Sequence, residues 1–129
     1  MCIRDRAPAV QRAVEKGTII VSARANEEQY WYPGCMEGVL GVTLDWEHPR
    51  ESVSVIKTGG SSTVSSARVA SASGYPRPIP GIPIFRNLNG ISFAVANTTG
   101  VLAALLVDRP DVRTAEAALD LLDESTLYT

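Results

Sequence analysis

Residues 18–44 read TIIVSARANEEQYWYPGCMEGVLGVTL, two apolar runs (18–23 and 39–44) on either side of a polar, aromatic stretch. Both runs are continuous and rich in β-branched residues rather than alternating. That is the pattern of strands buried on both faces in a parallel sheet. The stretch between them, 24–34, holds charges, aromatic rings and a closing Pro-Gly, and it reads as a long loop.

The pattern continues in both directions. Upstream, Ala9-Val10 and Ala13-Val14 repeat at helical spacing, with Gln11, Arg12 and Glu15 on the other side. Lys16-Gly17 then places a cation in the last turn and a glycine just beyond it, a helix stop. Downstream, 52–57 and 64–70 are weaker strand candidates around a Gly-Gly-Ser-Ser turn. Residues 74–83 hold four prolines in ten positions and exclude regular structure. After Gly90 a long helix is predicted over 92–108, ended by Arg109-Pro110, because a residue before proline disfavours the helical region. A last amphipathic helix is predicted over 114–122, with Thr114 as its N-cap and Ala118, Leu119 and Leu122 on one face. Helix, strand, loop, strand, further strands and two helices is an α/β pattern. There is no internal repeat and no domain linker, and 129 residues fit one domain with a real core.

Composition narrows the function classes. Hydrophobic residues make up 45% and charged residues 20%, an ordinary globular balance. The net charge of −2 comes without a basic stripe, which argues against nucleic acid and anionic membrane as partners. The longest apolar run, 101–107, is far below the roughly 18 residues a membrane span needs. Residues 1–6 (MCIRDR) stand apart. Read back through the genetic code, they match ATG-TGT-ATA-AGA-GAC-AG, the end sequence of a transposase used to build sequencing libraries. They are expected to be a library scar, with residues 7–129 as the genuine part and natural chain extending upstream. Cys2 then drops out, and a lone Cys35 gives no disulfide and no sign of redox compartment.

One serine stands out chemically. Residues 87–106 read NLNGISFAVANTTGVLAALL, a polar turn ending in Gly90, then Ser92, then small and apolar residues. A serine in the first turn of a helix lies among free backbone N–H groups at the positive end of the dipole. Those are features a nucleophile needs where an oxyanion forms beside it. Gly90 permits close backbone approach, and Ala94 keeps the next turn narrow. A plain N-cap accounts for the same Gly-x-Ser arrangement.

The segment Gly90-Ile91-Ser92-Phe93-Ala94, followed by Gly100, resembles the Gly-Thr-Ser-x-Ala…Ala-Gly signature of the subtilisin-like serine proteases. Arg109-Pro110-Asp111 and the following helix match the turn and short helix that close that family's segment. IIVSARANEE, Tyr32-Pro33-Gly34 and VLGVTLD match, in order, its oxyanion-hole strand, its Tyr-Pro loop and the next buried strand. The resemblance covers about residues 9–122. It implies an α/β fold, part of a subtilisin-like three-layer architecture with a mainly parallel sheet and flanking helices, truncated to the C-terminal part of a catalytic domain. It implies a serine endopeptidase acting on a polypeptide substrate, extracellular or in the cell envelope. By this resemblance Ser92 is the nucleophile, and the side chain of Asn26 forms the oxyanion hole together with the Ser92 N–H. Ser22, Ala23, Arg24 and Ala25 line one wall of the cleft, and Gly90 lies against substrate. For Asn26 a loop asparagine bonding its own backbone is the other reading. No cofactor is implied; members of the family often hold structural calcium, but no calcium loop or zinc spacing is visible and no ligand can be assigned. Glu27-Glu28 is an acidic pair and reads as a solvated loop face.

The chain departs from the family pattern at named positions. The motifs for the catalytic Asp and His are absent. The single histidine, His48, lies in Asp45-Trp46-Glu47-His48-Pro49, after the oxyanion-hole strand, and reads as a solvated loop residue. Without a base a serine hydroxyl is a weak nucleophile, so the 129-residue chain is expected to be inactive, with Asp and His supplied upstream. Ala96-Asn97 replace the family's Pro-His, Ile91 its Thr and Ala25 its Gly, with Arg24 ahead of it. Ala72-Ser73-Gly74 stand at its Ala-Pro-Gly. Thr98-Thr99 either bond back to the preceding turn or face a buried polar neighbour. Two other readings stay open: a subtilase-like domain that binds peptides or a partner without catalysis, and an unrelated α/β domain such as an α/β-hydrolase. The latter's nucleophile elbow calls for a second glycine, where Ala94 stands.

Overall fold

The computed structural model describes residues 3–24, 30–58 and 66–127. Three helices, α1 (Ile3–Glu15), α2 (Ile91–Leu106) and α3 (Ala115–Leu127), accompany four strands, β1 (Val21–Ala23), β2 (Leu40–Leu44), β3 (Ser54–Thr58) and β4 (Ala67–Ala72). The strands form one sheet in the order β1-β2-β4-β3. β1, β2 and β4 run parallel, and β3 joins β4 antiparallel at one edge. The fold is mixed α/β with a mostly parallel, open sheet.

The register explains the apolar runs. Val21 and Ala23 pair with Leu40 and Val42, and Val42 and Leu44 pair with Ala70 and Ala72. Leu40, Val42, Ala70 and Ala72 share one face, because side chains alternate along a strand. They are buried with Ala94 and Leu102 of α2 and Ala118, Leu119 and Leu122 of α3. Helix α2 lies over β1, β2 and β4, and α3 lies beside it over β3, β4 and β2. Alanines at 70, 72 and 94 leave no bulk between β4 and α2, so the helix backbone can approach the sheet closely.

Element ends depart from expectation by a few residues, for local reasons. β1 is shorter than 18–23, since Leu40, where β2 begins, reaches back with its N–H to Ile20 O at 2.9 Å. β4 lies later than 64–70 and runs on through Ser71-Ala72, small residues with weak strand preference that the sheet interior nonetheless accepts. α1 starts at Ile3, inside the hexapeptide set apart above, and passes through Pro8. Its end matches expectation: Gly17 has φ +86, and the Thr18 N–H bonds Ala13 O at 3.0 Å. α3 continues to Leu127, past the predicted end, with Leu121 and Leu122 still buried. Thr114 caps it, its hydroxyl accepting the Ala117 N–H at 3.2 Å. Between α2 and α3, Arg109 holds Asp111 through two guanidinium bonds of 3.1 and 3.0 Å.

Candidate functional site

Ser92 occupies the second position of α2, exposed to solvent. The helix enters through Gly90, whose φ of +146 belongs to the region that favours glycine. The Gly90 N–H donates to Gly74 O at 2.9 Å, tying the helix start to the chain just past the carboxyl end of β4. Gly74 is packed tightly there. A Cβ at that position would stand 2.3 Å from Leu44 Cδ1 and 2.9 Å from Trp46 Cζ3. Phe93 N–H bonds Gly90 O at 3.1 Å, closing the first turn. The N–H groups of Ile91 and Ser92, at the first two helical positions, have no intrahelical acceptor and stand at the positive end of a 16-residue helix.

Five residues further on, Asn97 is half-buried and spends both amide hydrogens, donating to Ser73 O and to Tyr75 O at 3.0 Å each. Three successive carbonyls, of Ser73, Gly74 and Tyr75, therefore all accept bonds from the amino-terminal part of α2. Tyr75 also packs against Trp46 past the end of β2 in a tilted ring contact, centroids 5.2 Å apart at 58°. The sequence flagged Asn97 only as a departure from the family; the signal that could have found its role is an amide set in an otherwise apolar helix. Thr98 and Thr99 resolve to the first of their two alternatives, bonding back to Ala94 O and Val95 O at 2.8 Å each.

The expected cleft wall is described in part. Ser22 pairs with Gly41 and so lies on the sheet face opposite Val21 and Ala23, which face the α2 side. Arg24 is 5% exposed, and its backbone is engaged on both sides. Its N–H donates to Val42 O at 2.9 Å. Its carbonyl accepts the Trp31 N–H at 2.8 Å and the Cys35 thiol at 3.1 Å. The loop thus folds back onto the end of β1, where Gly34 sits so close that a Cβ would lie 1.9 Å from Ala23 O. Ala25 and Asn26, the second oxyanion donor of the sequence reading, lie outside the described residues, as do Glu27 and Glu28.

His48 is more embedded than a solvated loop residue. It is half-buried, with Nε2 2.7 Å from Ser54 Oγ and Nδ1 3.0 Å from Pro49 O. A carbonyl only accepts, so Nδ1 carries a proton toward Pro49 O, and Nε2 shares a hydrogen bond with the Ser54 hydroxyl. The chain's one histidine is therefore committed to the β2–β3 connection.

A cavity of about 640 Å³ lies elsewhere. It opens near the amino ends of β2 and β4 and is lined by Arg24, Cys35, Met36, Arg68, Glu116 and Leu119, among others. Arg68 is held there by Glu116 at 2.6 Å and Asp120 at 2.8 Å. Burial raises the Cys35 thiol above its ordinary value, offset in part by the positive Arg24 and a backbone bond at Trp31. A protonated thiol and an arginine paired with two carboxylates are weak equipment for catalysis, and the polar geometry around Ser92 is the better guide. Among the described residues no group of three His, Cys, Asp or Glu side chains gathers to hold a metal. No described helix is long and apolar enough to cross a membrane. Comparison with protein-family models, curated proteins and solved structures finds no match to this chain.

Proposed function

We propose that this chain is the C-terminal part of a divergent subtilisin-like serine endopeptidase domain, with the three-layer architecture of that family, and that Ser92 is its nucleophile. The observation that carries the reading is the setting of Ser92. It is an exposed hydroxyl in the first turn of α2, beside backbone N–H groups that the helix leaves without acceptors, anchored through Gly90 to the carboxyl end of a parallel strand. Ligands of open α/β sheets bind outside the carboxyl ends of the strands.

In this reading the Ser92 hydroxyl attacks a peptide carbonyl, and the oxyanion is met by the Ser92 N–H and the side chain of Asn26. Removing one such donor in a subtilisin costs roughly 3–4 kcal/mol of transition-state stabilisation. The base and its orienting acid come from polypeptide upstream, and the 129-residue chain alone is inactive. The test is covalent labelling by a fluorophosphonate. The parent polypeptide is expected to be labelled at Ser92, and Ser92→Ala to abolish labelling; robust labelling of the Ser92→Ala variant would overturn the assignment.

One observation favours a second reading, a peptide-binding domain without catalysis: the single histidine is bonded to Ser54 and Pro49, not to Ser92. A parent polypeptide that binds extended peptides yet resists the fluorophosphonate would establish that reading instead.

A further inference from the structure

We propose that Asn97 is a positioning residue for Ser92, acting by fixing the turn from which α2 starts; the proposal rests on the peptidase reading for its catalytic meaning. Gly90 has no side chain to cap the helix, and its backbone conformation is one that few residues adopt. Left to itself, such a start has one anchor, the bond from the Gly90 N–H to Gly74 O. Gly74 belongs to a short irregular link after β4, and its carbonyl is only as well placed as the peptide units on either side.

Asn97 holds both of those units. Its amide donates to Ser73 O and Tyr75 O, the carbonyls immediately before and after Gly74 O. The Tyr75 N–H in turn donates to Ser73 Oγ at 3.2 Å. The three carbonyls, alternately bonded by Asn97, Gly90 and Asn97, form a clamp between the end of β4 and the first turns of α2. The chemistry of the clamp is narrow. It needs two donors on one short side chain, aimed at two acceptors. An aspartate of the same shape offers only acceptors, and a neutral imidazole offers one N–H. The side chain stands one and a half turns from Ser92 on the same rigid helix. A shift of the Gly90–Gly74 contact therefore carries over to the Ser92 hydroxyl and N–H.

Amide hydrogen exchange on the 129-residue chain tests the clamp without requiring catalysis. The Gly90 amide is expected to be protected in the wild-type chain. Asn97→Asp is expected to lower that protection at least about tenfold while Val42 and Leu102 amides change by less than about twofold. Asn97→Ala, which removes the donors without adding charge, is expected to do the same and covers the case in which Asn97→Asp does not fold. An unprotected wild-type Gly90, unchanged protection in both variants, or a fall shared equally by Val42 and Leu102 overturns the proposal. Asn97→His supplies two donors only when protonated. Its Gly90 protection is expected to recover below about pH 6.5, which loss of packing alone does not produce.

In the parent polypeptide, Asn97→Ala is expected to lower the maximal rate of Ser92 labelling by a fluorophosphonate about tenfold or more. The half-saturating concentration is expected to stay within about twofold, since a misplaced nucleophile slows the step without weakening the encounter. An unchanged labelling rate overturns the positioning role. A wild-type parent that does not label defeats the peptidase reading instead, and the exchange measurement still decides whether Asn97 holds the turn.

Discussion

At the scale of single residues, the close approaches around the candidate site are set by glycines that no other side chain can replace. A Cβ on Gly34 would fall inside the Ala23 carbonyl, and the atoms it meets are backbone, which cannot swing aside as a flexible side chain does. Gly34→Ala is expected to destabilise the chain by more than about 3 kcal/mol, read as a fall in the urea midpoint at constant slope. Cys35 gives a pH-dependent prediction. Its thiol is raised by burial, so the folded state favours the protonated form. The stability tied to that preference is fully present below the unfolded thiol's value near pH 8.5 and is lost as pH rises through the folded value. Chemical denaturation between pH 7 and 10 is expected to show that loss, and Cys35→Ala to flatten it. Little of this was legible beforehand. Asn97 looked like a gap in a motif because hydrogen bonds to backbone carbonyls 22 and 24 positions away leave no trace in local spacing. His48 looked solvated for the same reason, its partner Ser54 being brought near only by the turn before β3.

At the scale of elements, the sequence spoke most clearly where one signal dominated. β-Branched runs marked β1 and β2, Gly17 marked the end of α1, and Arg109-Pro110 the end of α2. Thr114 as the cap of α3 also follows from local chemistry, since its hydroxyl meets the Ala117 N–H. Thr114→Ala is expected to cost about 0.5–2 kcal/mol and Thr114→Ser much less, a contrast measurable by thermal unfolding. β4 was harder to place. Ala67–Ala72 reads ARVASA, poor in strand formers, and its position is set by tertiary packing. Val42 and Leu44 on one side, β3 on the other and Ala94 above make it a strand whatever its own preference. The same packing extends β4 two residues past the predicted end, and those two residues lead directly into the Ser73-Gly74-Tyr75 carbonyls that receive α2.

At the scale of the whole molecule, α2 carries more apolar character than its contacts consume. Ala94, Thr98 and Leu102 are buried against the sheet and α3, while Ala96, Thr99, Gly100 and Ala103, beyond the first turn that carries Ser92, form an exposed stripe of small residues on the opposite side. Helices that are apolar all round are ordinarily buried all round. β1 is likewise an edge strand in a parallel arrangement, which is ordinarily covered, and Phe85 and Leu88 are 68% and 75% exposed just ahead of α2. These surfaces are the ones the peptidase proposal expects the rest of the domain to cover, and Gly100 turns that expectation into a measurement of sign. Among the described residues, nothing beyond its own stretch of helix lies within 4 Å of a Cβ built on Gly100, which sits mid-helix without a positive φ. In the 129-residue chain, Gly100→Ala is therefore expected to stabilise by about 0.5–1 kcal/mol, because alanine loses less backbone entropy in a helix. For a domain of this size that raises the melting temperature by about 2–4 °C. In the parent polypeptide, a helix or strand laid over the small-residue stripe leaves no room for the added methyl. The same substitution is then expected to destabilise by about 1–3 kcal/mol through overpacking. Opposite signs in the two proteins place the outer face of α2 inside the complete domain; equal gains in both mean that this face stays open to water, and the expectation of a covering segment over Ser92's helix fails.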